Sequence, residues 1–250
     1  MDRKIQILVP IGGPSPFFVD ESYPFPKPLI EVGGKPMIQV VVENLSEING
    51  EKKFIFIVRR EDCVRFHLDN TLRLLTGGNC EIIRLSSETR GAACSCLMAV
   101  DFIDNEEKLI IVNGDQVIDQ ELNTGVDFLI ERSFDAGVIS FQSVHPKWSY
   151  VRLNEQGDVN ETAEKNPISK NAIAGFYYFK KGSDFVKSAV KSIEKEVLVN
   201  NMYYIAPTMN ELILENKTIG VYHLKNSEHY HSFYSPQKIR DYETRFQSRL

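Results

Sequence analysis

The sequence has no surplus of positive charge. Against 29 Lys and Arg stand 34 Asp and Glu, a formal net charge of −5 at pH 7. Proteins that bind nucleic acid by neutralising its phosphates are usually basic, so no nucleic-acid partner is expected. Any polyphosphate ligand must be held by a few local cations and backbone amides, not by a general positive field. Long apolar runs are missing too. The longest, such as Phe54–Val58, are strand-sized and far below the roughly 20 residues of a membrane span. The apolar run within Met1–Pro10 is too short to read as a secretory leader. Cysteine is scarce: Cys63, Cys80, Cys94 and Cys96 match neither a zinc framework nor C-x-x-C. They read as reduced thiols of a cytoplasmic protein. Neither G-x-G-x-x-G nor a Walker phosphate loop is present, and no internal repeat or Ser/Gly linker interrupts the chain.

What is present is an ordinary globular composition, with 42% hydrophobic and 25% charged residues over 250 positions. Short apolar runs alternate with helix-patterned segments. Ile5–Pro10, Lys53–Arg59, Glu81–Leu85 and Lys108–Val112 read as strands. Between them, Met37–Ile48, Glu61–Leu75 and Gly91–Phe102 read as helices. Pro36 suits the first turn of one helix, and Gly77-Gly78 stops the next. This alternation predicts an α/β fold, a Rossmann-like mixed and mainly parallel sheet with helices on both faces. The second half differs. Strand candidates at 136–142, 149–153, 158–164 and 172–180 crowd together, with a hairpin-like turn at Asn154–Asp158. Helix candidates follow at 182–196 and 206–216. The expected organisation is one domain with two functional halves, 1–118 and 119–235, and a C-terminal helix at 236–250.

Open parallel sheets bind ligands beyond the carboxyl ends of their strands, and four segments fall there. Gly12-Gly13-Pro14-Ser15-Pro16 lets backbone approach a phosphate or a base, or is a plain turn. In Pro24-Phe25-Pro26-Lys27-Pro28 three prolines hold the backbone around one lysine, a phosphate ligand or a solvated side chain. In Asn113-Gly114-Asp115-Gln116 the carboxylate at a strand's end suits Mg²⁺ on a ligand's phosphates, or caps a turn. In Glu164-Lys165-Asn166-Pro167, Lys165 suits a second phosphate and Glu164 suits sugar hydroxyls, unless the two form a surface ion pair. Lysines flanking a carboxylate–metal site make sense for phosphoryl chemistry, where catalysis is positioning and charge neutralisation. Tyr177-Tyr178, Tyr203-Tyr204 and Trp148 read as packing residues, and His223, His229 and His231 as surface or edge histidines.

In order along residues 5–235, the strand and Gly-Gly loop, the run Pro26–Ile38, Thr89-Arg90-Gly91-Ala92-Ala93, Asn113–Gln116, Glu164–Pro167 and Ala174–Phe179 resemble the sugar-phosphate nucleotidyltransferases. Glucose-1-phosphate thymidylyltransferase belongs to that group. His145-Pro146-Lys147-Trp148-Ser149 and Tyr203–Leu212 are similar to a subgroup from capsule and surface-polysaccharide loci, some of whose members are classed with family 2 glycosyltransferases. The resemblance implies a nucleoside triphosphate and a sugar 1-phosphate as substrates, Mg²⁺ as cofactor, pyrophosphate as co-product, and a possible homodimer. It assigns Lys27 to the α-phosphate, Asp115 to the metal and Lys165 to the sugar phosphate. Glu164 and Gly175 would meet the sugar. Gly12, Gly13, Gly91, Arg90 and Gln116 would lie by the nucleotide.

The chain departs from the family pattern at four places, one of them Arg90, where relatives have an acidic or amide residue. The family loop carries an Arg that grips the triphosphate; Gly12–Phe17 has none, and its two prolines remove amide donors. Arg90 is the replacement the sequence offers. Where many relatives have Gly-Glu, this chain has Asn201-Met202. Where the family places a second metal Asp, it has His231-Ser232-Phe233-Tyr234. Two further readings therefore stand beside the enzyme: a nucleotide or nucleotide-sugar binding relative without turnover, and a glycosyltransferase. Asp115-Gln116-Val117 offers the latter only one carboxylate of its usual Asp-x-Asp.

Overall fold

The structure, a computed structural model, describes residues 3–18 and 23–247. Its first strand, β1 (Lys4–Pro10), is buried on both sides from Ile5 to Val9, with Gln6 the one polar residue among aliphatics there. A 3-10 turn at Lys27–Leu29 leads into a small ribbon, β2 (Glu31–Val32) and β3 (Lys35–Pro36), and then into α1 (Met37–Ser46). Helix α1 buries Ile38, Val41, Val42 and Leu45 along one stripe, the spacing that an amphipathic helix requires. There follow β4 (Glu51–Arg59), α2 (Arg60–Phe66), α3 (Leu68–Leu75) and β5 (Cys80–Leu85). Next come α4 (Ala92–Leu97), α5 (Val100–Ile103) and β6 (Lys108–Val112). Then the chain forms β7 (Gln116–Ile118), α6 (Leu122–Glu131), β8 (Ala136–Gln142), β9 (Ser149–Leu153), β10 (Val159–Glu164) and β11 (Asn171–Phe179). It ends with α7 (Gly182–Glu194), α8 (Ile205–Leu214), β12 (Ile219–His223), β13 (Tyr230–Ser232) and α9 (Pro236–Gln247).

One nine-stranded sheet carries strands from both halves, in the order β10-β9-β11-β6-β1-β4-β5, with β8 beside β11 and β12 beside β8. β1, β4, β5 and β6 run parallel, so their carboxyl ends share one edge. β11 is the seam. Phe176–Phe179 pair antiparallel with β6, while Asn171 and Ala172 pair with β9. Alternate residues of β1, β4 and β6 feed two cores. Ile7, Phe56 and Ile110 meet α1, α3 and α6; Leu8, Ile57 and Ile111 meet α4, α5, α7 and α8. The expected α/β fold, with a mixed sheet and helices on both faces, is what the chain adopts. A third, smaller cluster of Phe18, Val32, Met37, Val117, Phe233 and Tyr242 joins the ribbon, β7, β13 and α9.

The expected strands stand, with ends moved by a residue or two. Two helices do not run through. The segment read as one helix over 61–75 breaks at His67, which takes the left-handed conformation at φ 53°. The segment 91–102 divides into α4 and α5. β7, α6, β12 and β13 were not expected. β7 and β13 have three residues each, too few to show a period, and owe their strand form to pairing with each other. All four cysteines are free thiols. Among the described residues no helix is long and apolar enough to cross a membrane.

Candidate active site

The shared carboxyl edge of β1, β4, β5 and β6 holds the candidate residues. Lys27 opens the 3-10 turn, with extended Pro26 before it and Pro28 after it, so its backbone has little freedom. Its ammonium pairs with the Asp115 carboxylate, 88 residues further along, and lies 5.7 Å from the centroid of the Phe18 ring. Asp115 follows β6 after Asn113-Gly114. Its carbonyl accepts from the Phe233 amide (2.7 Å), which ties the segment after β13 to the carboxylate's own residue.

Three cavities meet this edge. One of about 250 Å³ is lined by Gly13, Ser15, Lys27, Asn113 and Asp115. A second, of about 260 Å³, lies across the same Asn113 and Asp115 and is lined by Lys147, Trp148, Glu164, Tyr204 and Ser232. A third, of about 620 Å³, opens beside β4 and β5, with Gly12, Arg59, Arg60, Leu85 and Ser86 in its walls. Gly12 and Gly13 therefore face different cavities.

The second cavity has a carboxylate floor. Glu164 ends β10, is half-buried, and accepts a hydrogen bond from the Ser149 hydroxyl, which also meets the Tyr177 hydroxyl at 3.3 Å. Burial pushes the Glu164 carboxyl above its ordinary value, against the opposing pull of Ser149 and the Lys165 charge. A carboxyl raised on folding adds most stability below its unfolded pKa, and that contribution is lost as pH rises through the folded value. Glu164→Gln is therefore expected to be more stable than the parent at about pH 8 and to lose that advantage by about pH 4. Urea-unfolding midpoints at the two pH values check this.

Lys165, at φ 54°, donates from its ammonium to the Tyr204 hydroxyl (2.7 Å) and lies 4.7 Å from that ring's centroid. Gly175, at φ 55°, marks the bend of β11, where the pairing with β8 shifts register. A Cβ there would meet Gln116 Oε1 at 2.2 Å and Asn113 Nδ2 at 2.3 Å. Only glycine fits.

Other expected residues are placed differently. Gln116 is buried; it donates to the Ala174 carbonyl and accepts from the Tyr230 hydroxyl (3.1 Å). It supports the bend rather than lining a cavity. Gly91, at φ 110°, is required by the backbone of Tyr203, whose carbonyl a Cβ would meet at 2.3 Å. The exposed Arg90 guanidinium lies 5.4 Å from the centroid of the Tyr203 ring and does not line the Lys27–Asp115 cavity. Arg90→Ala is accordingly expected to lower stability in a urea-unfolding measurement by about 0.5–1 kcal/mol, the worth of an exposed cation–π contact.

Sequence reasoning passed over Lys147 and Tyr234, and read Tyr204 and Trp148 as packing residues. All four line the second cavity, and so does Ser232, in the segment where the resemblance leads one to expect a second carboxylate. Among the described residues no group of three His, Cys, Asp or Glu comes together to hold a metal. Asp115 is the carboxylate shared by the two smaller cavities. One carboxylate fits a Mg²⁺ ion that takes its remaining oxygens from phosphates and water, the usual manner of that ion.

Comparison with known proteins places this arrangement. The nucleotidyl transferase family model matches residues 20–222. The bifunctional protein GlmU of Methanocaldococcus jannaschii is 26% identical over 201 residues, covering 78% of this chain and 44% of that protein. The UTP–glucose-1-phosphate uridylyltransferase AglF of Haloferax volcanii is 25% identical over 159 residues, covering 62% of this chain and 63% of that one. This chain thus spans less than two thirds of the length of either relative. The crystal structure of a nucleoside-diphosphate-sugar pyrophosphorylase from Vibrio cholerae RC9 superposes with a TM-score of 0.79 at 24% identity, over 95% of this chain and 99% of that one. That likeness establishes the fold. The family match runs through both halves, from before Lys27 to the end of β12, and on it the chain belongs to the nucleotidyl transferase family.

Proposed function

We propose that the chain joins a nucleoside triphosphate to a sugar 1-phosphate, or to a similar small phosphate, and releases pyrophosphate. The observation that carries this reading is the meeting of Lys27 and Asp115 at the wall between two cavities. The triphosphate takes the cavity of Gly13 and Lys27, its base reaching past Gly12 toward the cavity beside β4 and β5. The acceptor takes the cavity of Glu164 and Gly175, with Lys165 held on its Tyr204. Nucleotide binding then falls to residues 1–118 and acceptor binding to 119–235, within one cytoplasmic domain.

An oxygen of the acceptor phosphate attacks the α-phosphorus in line. The new P–O bond forms as the bond to the β-phosphate bridge breaks, and pyrophosphate leaves with the electron pair. The attacking phosphate is already ionised near neutral pH, so no side chain has to remove a proton. The chain's work is orientation and charge neutralisation. Lys27 offsets charge growing on the α-phosphate. Lys165 holds the acceptor phosphate, and the ionised Glu164 accepts from sugar hydroxyls beside Gly175. Asp115, with phosphate oxygens, would hold Mg²⁺, which supplies charge neutralisation at the reacting phosphates. The similarity of His145–Ser149 to the capsule subgroup supports a place in surface-polysaccharide synthesis.

Pyrophosphate release, measured over a panel of triphosphates with sugar 1-phosphates and other small phosphates plus Mg²⁺, tests the reading. Turnover with one pair bears it out; none with any pair overturns it. A second reading, binding without turnover, is favoured by Ser232, in the segment where the resemblance leads one to expect a second carboxylate. Calorimetry that finds tight nucleotide-sugar binding, with no pyrophosphate released, selects it.

A further inference from the structure

We infer that Lys147 is a phosphate-binding cation in the wall of the acceptor cavity, seated on Trp148 and Tyr234, and that Lys165, held on Tyr204, is its companion. The inference rests on reading that cavity as the acceptor site.

Lys147 lies in the turn between β8 and β9. That turn is braced: the Trp148 amide donates to the His145 carbonyl at 3.3 Å, and the Tyr150 hydroxyl donates to the same carbonyl at 2.6 Å. The Lys147 ammonium is 4.5 Å from the Trp148 ring centroid and 4.0 Å from that of Tyr234. It also donates to the Tyr234 hydroxyl at 2.7 Å. Aromatic faces hold a cation in place without neutralising it. One of its three N–H donors is used, and two remain for an oxygen anion.

Among the described residues no carboxylate pairs with Lys147, although Asp115 and Glu164 line the same cavity. Lys27, Lys191, Lys195 and Lys217 each rest on a carboxylate; among the described residues Lys147 does not. A half-buried ammonium in a cavity wall without an anion is an unfavourable arrangement, and an entering anion offsets it. Lys165 repeats the device, its ammonium on the Tyr204 hydroxyl and over the Tyr204 ring. Tyr204, Tyr234 and Lys147 line the same cavity, and Lys165 reaches it through its hydrogen bond to the Tyr204 hydroxyl. Tyr234 stands two residues after Ser232, and its ring meets Phe17 of the Gly12–Phe18 loop edge-on at 5.8 Å. Lys147 is thus on the side of the cavity nearest that loop. The ligand chemistry that fits two such ammoniums is a phosphate monoester dianion.

The protein contains a single tryptophan, and it is the one under Lys147. Its fluorescence is a local reporter. Inorganic phosphate titrated into the protein at constant ionic strength is expected to give a saturable change in Trp148 emission, with the same midpoint by calorimetry. Lys147→Met should weaken that midpoint about ten-fold or more, the worth of a lost charge-assisted hydrogen bond. Lys147→Arg, which keeps the charge, should stay within about three-fold. In turnover, Lys147→Met should raise the acceptor KM by a similar factor and leave the triphosphate KM within about two-fold. No saturable response in the parent, or an unchanged midpoint in Lys147→Met, overturns the inference. Phosphate binding that needs Lys147 in a protein without turnover upholds it and rejects the proposed reaction. Turnover with an acceptor KM indifferent to Lys147→Met rejects the inference alone.

Discussion

Asp115→Ala is expected to slow pyrophosphate release by about 10³-fold, near 4 kcal/mol of transition-state stabilisation. Lys27→Ala should slow it by about 10²–10³-fold. The reasoning is electrostatic. In the proposed reaction charge develops on the α-phosphate between a lysine fixed by prolines and a carboxylate fixed after β6. Neither has a neighbour of like charge lining the Gly13 cavity that could take its place. The losses belong in kcat, because the groups are proposed to act on charge that grows only as the reaction proceeds. Both variants should fold. The ion pair is partly exposed, with side-chain exposures of 17% for Lys27 and 24% for Asp115, and pairs of that kind contribute little to stability. Lys27→Arg should recover only part of the rate, since a planar guanidinium cannot occupy the place of a compact ammonium on a backbone that cannot shift. Single-turnover rates and thermal melts of the same samples decide the matter. Full activity in Asp115→Ala would remove Asp115 from the chemistry.

Gly175→Ala is expected to destabilise the fold by about 2–4 kcal/mol, with loss of acceptor binding in whatever remains folded. Two effects add. A left-handed backbone costs an alanine about 1–2 kcal/mol, and a Cβ pressed into fixed neighbours costs about 1–3 kcal/mol. Those neighbours have little room to move. Asn113 lies in the turn after β6, where its amide donates to the Gly175 carbonyl at 3.1 Å. Gln116 is pinned by Ala174 and Tyr230. A shift of either carries into Asp115 between them. Urea unfolding measures the first loss and acceptor KM the second. A variant as stable as the parent would show that β11 can straighten.

The strands of the parallel region were legible because both their faces are buried, which leaves near-continuous apolar runs such as Phe54–Val58. Lys27 was legible from its flanking prolines, and Asp115 from its place after a strand. The break at His67 was not, because nothing local sets residue 67 apart from the helical pattern around it. β7 and β13 are strands only through a partner more than a hundred residues away. Lys147 was hidden for the same reason: Tyr234, its seat, lies 87 residues further on. Arg90 was the opposite case. The gap left by the missing loop arginine drew attention to it, and only the fold puts Tyr203 in reach of its guanidinium. Gln116 and Gly91 sit among candidate site residues, yet their surroundings explain them as supports of the bend and of the Tyr203 backbone.

The β7–β13 ribbon bears on how the molecule comes into being on the ribosome. The Gln116 side chain and the Tyr230 hydroxyl that meets it are separated by 114 residues. At a synthesis rate of 5–20 residues per second, that is an interval of roughly 6–23 s. During it β1, β4, β5 and β6 can pair and offer the triphosphate cavity, while the wall formed by Ser232 and Tyr234 does not yet exist. If the two cavities hold what is proposed, a nascent chain passes through a stage able to hold nucleotide but not to complete the acceptor cavity. On the proposed reading, catalytic competence waits for the segment that follows β12.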